Sequence, residues 1–253
     1  MKILALDSSG LVASVAVAED ETLIAEYSIQ YKKNHSQTLL PMLEEIRRMV
    51  ELDLGSVDAV ALAAGPGSFT GLRIGSATAK GLGLALGLPL VEVPTLEGLA
   101  YNMYGAAGCI CPIMDARRGQ VYTGIYEFCP EGVEEKNPEN RFLHSFKMKE
   151  LHPRCAAALE EIAERLNELG HQVIFLGDGV PVYRDRLAEL MQVSCCFAPA
   201  HMNRQRAASI AALGRIYFEE GKTVSADEHS PIYLRMSQAE RERREKSGEG
   251  APA

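Results

Sequence analysis

The 253-residue sequence lacks the features expected of an independent nucleic-acid-binding protein or a membrane protein. Its formal net charge is −8 at pH 7, whereas binding of tRNA or DNA depends on Lys and Arg that neutralise phosphates. No stretch approaches about 18 consecutive apolar residues, and residues 1–10 do not read as a cleaved leader. We therefore expect a cytoplasmic protein without membrane contact, which meets tRNA only through a partner.

Metal-binding and nucleophile motifs are also missing. None of the six histidines stands at H-x-x-H or H-x-x-x-H spacing, and the six cysteines contain no C-x-x-C pair. There is no Gly-Lys-Ser/Thr loop and no G-x-S-x-G nucleophile motif. We predict no metal site, no catalytic residue, and cysteines that are reduced and mostly buried. We interpret His35 as a polar or capping side chain, with Ser36 as a helix cap.

The pattern of apolar residues predicts an α/β protein that is large enough for two lobes. Three strand-like runs fill the first 29 residues and indicate an antiparallel meander. A helix over 36–50, a strand over 57–65, a glycine-rich helix, a strand over 89–93 and a short helix near 95–104 follow. This order is typical of a ribonuclease-H-like lobe.

A second, less regular pattern begins after Gly105. It comprises strands over 109–116 and 120–128, a polar loop over 130–140, a helix over 156–169, a strand over 171–179 and helices over 181–191 and 205–220. We assign 1–105 to the first lobe, 106–204 to a reduced second lobe, and leave the lobe of 205–220 open. Residues 221–237 form a C-terminal segment, and 238–253 have the composition of a disordered tail.

Three short stretches could contact a nucleotide or phosphate. They lie after the first strand, at the start of the glycine-rich helix and between two strands of the second lobe. A helix N-terminus attracts anions, and arginine pairs with phosphate. Each stretch also reads as an ordinary turn, and the sequence does not separate the two interpretations. The candidate residues are Asp7, Ser8, Ser9, Gly67, Ser68, Arg117 and Arg118.

Two helices carry features that suit a protein partner. The first has an apolar stripe, and the second has small residues four apart, which permit close approach by another element. Packing on the chain's own sheet explains the second pattern equally well. The candidate interface residues are Leu39, Leu43, Ile46, Val50, Gly71, Gly75, Ala79 and Gly83.

Five motifs together resemble the TsaB (YeaZ) family, formerly labelled glycoprotease-like. They are LALDSS near the start, NHSQTLLP at 34–41, AAGPGSFTGLRIG at 63–75, MDARRGQVY at 114–122 and YLR at 233–235. The resemblance implies an actin-like ATPase superfamily fold of two ribonuclease-H-like lobes. It also implies an accessory subunit for making threonylcarbamoyladenosine in tRNA, which pairs through its first two helices with a catalytic paralogue, TsaD, and works with an ATPase subunit, TsaE.

The resemblance further implies that this chain does not perform the chemistry. The paralogue has an H-x-x-x-H metal pair where this sequence has Thr95 and Leu99, and a glycine-rich phosphate loop where it has Asp115. An aspartate there repels phosphate. We expect no cofactor on the isolated chain, ATP only in the complex, and a homodimer when the paralogue is absent. The alternatives are a nucleotide-dependent phosphotransferase of the same fold and a metallopeptidase.

Overall fold

The computed structural model describes residues 1–31, 34–117, 119–131 and 145–235. Its first sheet has the order β3-β2-β1-β4-β5. The first three strands pair antiparallel as a meander, as predicted, and β4 and β5 continue the sheet parallel to β1. The strands are β1 (Lys2–Asp7), β2 (Ala13–Glu19), β3 (Thr22–Ile29), β4 (Ala59–Gly65) and β5 (Leu90–Pro94).

The second sheet repeats this topology. Its order is β10-β9-β6-β7-β8, in which three antiparallel strands are followed by two that run parallel to the central strand. Two sheets of this order confirm the predicted fold of two ribonuclease-H-like lobes in the actin-like ATPase superfamily arrangement. The strands are β6 (Cys109–Asp115), β7 (Gln120–Glu131), β8 (Ser145–Ala158), β9 (Val173–Leu176) and β10 (Cys195–Phe197).

Six α-helices cover the two sheets in the described ranges. They are α1 (His35–Met49), α2 (Phe69–Leu86), α3 (Thr95–Tyr101), α4 (Leu159–Leu169), α5 (Val180–Leu190) and α6 (Ala207–Glu219). The cap of α1 is Asn34, whose side chain accepts a hydrogen bond from the Ser36 amide, so the prediction of Ser36 as the cap is wrong. The His35 side chain instead donates a hydrogen bond from Nε2 to the Gly10 carbonyl oxygen, at 2.8 Å. None of the helices described here combines the length and apolar character needed to cross a bilayer.

The helix α6 lies on the first sheet, although it follows the second lobe in sequence. Its apolar face, which includes Ala207, Ile210 and Leu213, is buried in one cluster with Ile3 and Ala61. An ion pair of 2.5 Å between Arg206 and Glu26 fixes its start. The helix α3, which follows the first sheet, lies between the lobes and packs on β4 and β5 of the first sheet as well as on β6 and β7 of the second. The chain thus returns to the first sheet through α6, and α3 is shared by both lobes. Residues 238–253, predicted as a disordered tail, lie outside the described residues.

The stripe on α1 and the small-residue ridge on α2 are part of the first lobe's own interior. Leu39, Leu43 and Ile46 are buried in its core, and Val50 packs against the same cluster. On α2, Ala79 belongs to this core and Gly83 abuts Leu90.

The two remaining glycines of the ridge face the turn after β1. A Cβ on Gly71 would stand 2.1 Å from the carbonyl oxygen of Ser8, and one on Gly75 would stand 2.5 Å from the Ser8 hydroxyl. Folding of the single chain therefore buries seven of the eight residues predicted as the partner contact and leaves Val50 partly exposed; the contact itself stays a prediction. The glycines are needed so that α2 can lie against the end of β1.

Candidate functional site

A cleft of about 570 Å³ lies between the two lobes. Its walls come from the turn after β1, the start of α2, the ends of β6 and β9, and the described part of the C-terminal segment (residues 221–235). Ligand pockets of α/β proteins commonly lie at the ends of such strands. The candidate phosphate contacts that line it are Ser9, Gly67, Ser68 and Arg117.

Asp7 and Ser8 are internal to the first lobe and do not line the cleft. Asp7 is 2% exposed, and its Oδ1 accepts hydrogen bonds from the Ser9 amide and hydroxyl at 2.9 and 2.6 Å. Burial raises the pKa of Asp7 to about 6 in spite of these bonds. The Ser8 hydroxyl donates to the Gly71 carbonyl at 2.9 Å. Asp7 thus holds the turn, and Ser8 joins the turn to α2.

The start of α2 forms the adjoining wall. Ser68 caps the helix by accepting a hydrogen bond from the Gly71 amide, and its own amide donates to the Ser9 carbonyl at 2.7 Å. A Cβ on Gly67 would stand 2.3 Å from that same carbonyl oxygen, so only glycine fits there. The positive end of the α2 dipole therefore borders the cleft.

The second lobe contributes two acidic side chains to the cleft. Asp115 is held by the Arg117 amide at 2.8 Å, by the Tyr183 hydroxyl at 3.2 Å and by the Arg117 guanidinium at 3.6 Å. Asp178, which was not predicted, has one oxygen without a partner among the described residues, and burial raises its pKa. Arg118 lies outside the described residues. Gly177-Asp178-Gly179 directly after β9 resembles Gly65-Pro66-Gly67 at the end of β4, and this parallel is the signal that could have identified Asp178.

The C-terminal segment supplies the remaining wall through Ile232, Tyr233, Leu234 and Arg235. The centroid of the Tyr233 ring lies 4.9 Å from that of the Phe69 ring. The Arg73 guanidinium lies over the Phe69 ring, 4.0 Å from its centroid. The YLR motif contributed to the family resemblance, but residues 233–235 were not predicted as part of a site. Their position depends on the return of the chain to the first lobe through α6.

The part of α3 that corresponds to the paralogue's paired histidines is buried. Thr95 and Leu99 are almost fully inaccessible, and Leu99 packs in the apolar cluster between the lobes. Between them, Glu97 accepts hydrogen bonds from Tyr217 and Arg154, and burial raises the pKa of Glu97. Within the described ranges no group of three or more His, Cys, Asp or Glu side chains could hold a metal ion. All six cysteines are unpaired.

Comparison with known proteins places this architecture in a family. Residues 22–243 match the family model "TsaD: tRNA N6-adenosine threonylcarbamoyltransferase". Two relatives are named tRNA threonylcarbamoyladenosine biosynthesis protein TsaB. The Bacillus subtilis protein is 32% identical over 95% of this chain and 96% of its own length, and the Escherichia coli protein is 31% identical over 94% and 96%.

A solved structure, YeaZ from Pseudomonas aeruginosa, has 27% sequence identity and a TM-score of 0.73. The match covers 92% of this chain and all of the other. With relatives of this identity along nearly its whole length, the chain belongs to the TsaB (YeaZ) family of tRNA threonylcarbamoyladenosine biosynthesis proteins.

Proposed function

We propose that this chain is a noncatalytic subunit that activates threonylcarbamoyl transfer to tRNA by forming a heterodimer with a catalytic TsaD paralogue. The observation that carries the proposal is the burial of Thr95 and Leu99 in α3. At this window the paralogue family has paired histidines, whereas here a hydroxyl and an aliphatic side chain fill the space between the lobes. Neither serves as a transition-metal ligand at this spacing.

The charges of the cleft support the same role. Asp115 and Asp178 form the second-lobe wall, where a nucleotide bound as in an actin-like ATPase would place its phosphates. A carboxylate disfavours a phosphate there, and the nearby Arg117 guanidinium is already paired with Asp115. We therefore propose that ATP is used only in the assembled complex, with the TsaE subunit, and that tRNA is contacted only through that complex.

The partner face that the structure favours is the outer side of α2, opposite the buried ridge. Ala77, Gly81 and Ala85 are all exposed and four residues apart, and a Cβ on Gly81 would meet nothing within 4 Å. Leu84 beside them is 64% exposed. On α1, Leu40 and Met49 are also exposed. Small residues permit close helix approach, and the neighbouring apolar side chains supply area to bury. We propose that this face binds TsaD, and a second copy when TsaD is absent.

The test is calorimetric binding to the TsaD paralogue of the same organism, together with a tRNA threonylcarbamoylation assay. Ala77→Leu places a bulky side chain on the proposed contact, and we expect affinity to fall by about tenfold or more, which corresponds to about 1.4 kcal/mol. Ala188→Leu, also at an exposed position but on α5, is the matched control and should bind normally. Unchanged binding of Ala77→Leu would refute the proposed face. Modification of tRNA by this chain alone would refute the noncatalytic role.

A further inference from the structure

The C-terminal segment is anchored firmly to the first lobe. Val224 pairs with Leu90 through two backbone hydrogen bonds of 2.9 Å, and Ala226 is buried in the first lobe's core. The side chain of His229 is 0% exposed. Its Nε2 lies 2.7 Å from the Ser76 hydroxyl on α2, and its Nδ1 lies 2.5 Å from a Glu92 carboxylate oxygen on β5. Because both ring nitrogens are engaged by different elements, His229 fixes the segment in position.

Beyond His229, the segment crosses the end of β4 to reach the cleft. The Ile232 amide donates to the Ala64 carbonyl at 2.7 Å. Gly65 accommodates this crossing, because a Cβ there would stand 2.2 Å from the Ile232 carbonyl oxygen. Tyr233 then packs on Phe69 at the start of α2. The first lobe is therefore shaped to receive the segment at the mouth of the cleft.

The segment ends its described course on the second lobe. The Arg235 guanidinium donates a hydrogen bond of 2.8 Å to the carbonyl of Ala116, the residue that follows β6. Arg235 is one of the cleft-lining residues. A single stretch of fifteen residues thus binds the first lobe through a buried histidine and the second through an arginine.

This third connection restricts how the lobes can move. The chain otherwise passes between them twice, after α3 and before α6. The Arg154–Glu97 ion pair also links β8 to α3, beside the first of these passages. Two lobes joined only on that side are free to rotate about it as a hinge. A link that borders the cleft itself, between Arg235 and Ala116, restrains that rotation.

We propose that the C-terminal segment is a clasp, with His229 as its anchor and Arg235 as its latch, which holds the interlobe cleft at one fixed opening. This inference goes beyond the proposed function and does not depend on the identity of the partner. A fixed cleft differs from the opening and closing motion that hinged two-lobe proteins use around a ligand.

The interlobe distance in solution tests the clasp. Spin labels are introduced through non-cysteine chemistry at Thr70 and Val182, which are exposed and lie on opposite walls of the cleft. Pulsed electron paramagnetic resonance on the full chain should give one narrow distance distribution. In Arg235→Ala we expect it to become roughly twofold wider and to extend to longer distances, because hinge rotation is released. Arg184→Ala is the control, since the Arg184 guanidinium stacks on Phe197 within the second lobe.

His229→Gln provides a second variant, because glutamine can satisfy only one of the two partners with the geometry of the imidazole. It should also broaden the distribution. If His229→Gln does not fold, Arg235→Ala decides the question alone, because its side chain is not part of the core. An unchanged distribution in folded Arg235→Ala, or a broad one in the unsubstituted protein, would overturn the clasp.

Discussion

The two lobes place an aspartate at the same topological position, at the end of the central strand, but surround it differently. Asp7 at the end of β1 is buried and receives two hydrogen bonds from Ser9. Asp115 at the end of β6 is more exposed and is held by Arg117 and Tyr183. Among the described residues no Lys or Arg forms an ion pair with the first aspartate, whereas Arg117 pairs with the second. The same position in the fold therefore stabilises a turn in the first lobe and forms part of the polar wall of the cleft in the second.

The helices that follow the fourth strand of each sheet differ in the same way. Both begin after a glycine with positive φ, Gly65 at 121° and Gly177 at 113°. The first helix, α2, has 18 residues and buries three glycines against its sheet, whereas α5 has 11 residues and contains none. Close approach of the helix to the end of the central strand is therefore specific to the first lobe, while a glycine with positive φ before the helix is common to both.

The largest loss of stability is expected at the positive-φ glycine that precedes the helix in each lobe. Gly177→Ala would combine a φ of 113° with a Cβ 2.1 Å from the Ile113 carbonyl oxygen. We expect a loss of about 3 kcal/mol or more in the free energy of unfolding, measured by denaturant titration. Gly170→Ala is the control, because its φ is 72° and nothing lies within 4 Å; it should lose only about 1–2 kcal/mol. Equal losses would mean that strain alone, not the clash, governs this position.

A pair of variants on α2 sharpens the difference between the helices. Gly71→Ala would drive a Cβ to within 2.1 Å of the Ser8 carbonyl oxygen, and we expect about 2–3 kcal/mol of destabilisation. Gly81→Ala meets open space and should gain up to about 1 kcal/mol from helix propensity. Thermal melts of the two variants should therefore shift in opposite directions. If Gly71→Ala also melts higher, α2 does not lie against β1 as described.

Substitution of the two aspartates is expected to give the smallest difference in the free energy of unfolding, and the one that depends most on pH. Burial raises the pKa of Asp7 to about 6, above its unfolded value of about 3.9. The native state therefore holds this proton more tightly, and the contribution of Asp7 to stability falls as pH rises from about 4 to 6 and stays low above that. Asp7→Asn should raise the free energy of unfolding at pH 7 by about 1–3 kcal/mol and change it little at pH 3.5.

Asp115→Asn is the matched variant in the second lobe. It weakens charge-assisted hydrogen bonds at a partly exposed site, and we expect a loss of about 1 kcal/mol or less at pH 7. Unfolding curves at both pH values for the two variants complete the measurement. A destabilised Asp7→Asn at neutral pH would show that the buried carboxylate is stabilised in its charged form by a partner other than Ser9.

Most of the fold could be predicted because its strongest signals are local. Nearly continuous apolar runs and a turn at Gly10 define β1 and β2, and the prediction over 120–128 falls within β7 (Gln120–Glu131). The strand β8 was missed because Lys147, Lys149, Glu150 and Pro153 interrupt its apolar pattern; these residues suit an edge strand. The short β10, Cys195–Phe197, has too few residues to show a period. Part of the predicted loop over 130–140 lies outside the described residues.

The site was harder to predict because it depends on long-range packing. The start of α2 and Arg117 were identified from turn and anion-binding chemistry, and both line the cleft. The apolar stripe of α1 was assigned to a partner, although a helix on a sheet needs that stripe for its own core. The contribution of residues 232–235 could not be derived from local pattern, since it depends on the return of α6 to the first sheet.

That return also determines the order in which the molecule can be completed during synthesis. The α6 amide of Ala207 bonds to the Ser14 hydroxyl across 193 residues, whereas the strands of the second sheet lie within one continuous stretch from Cys109 to Phe197. A growing chain can therefore finish the second sheet while one apolar face of the first, including Ile3 and Ala61, still lacks its cover. Contacts of such long sequence separation form late and leave apolar surface open to aggregation meanwhile. The half of the protein that the ribosome makes first is the half that is finished last.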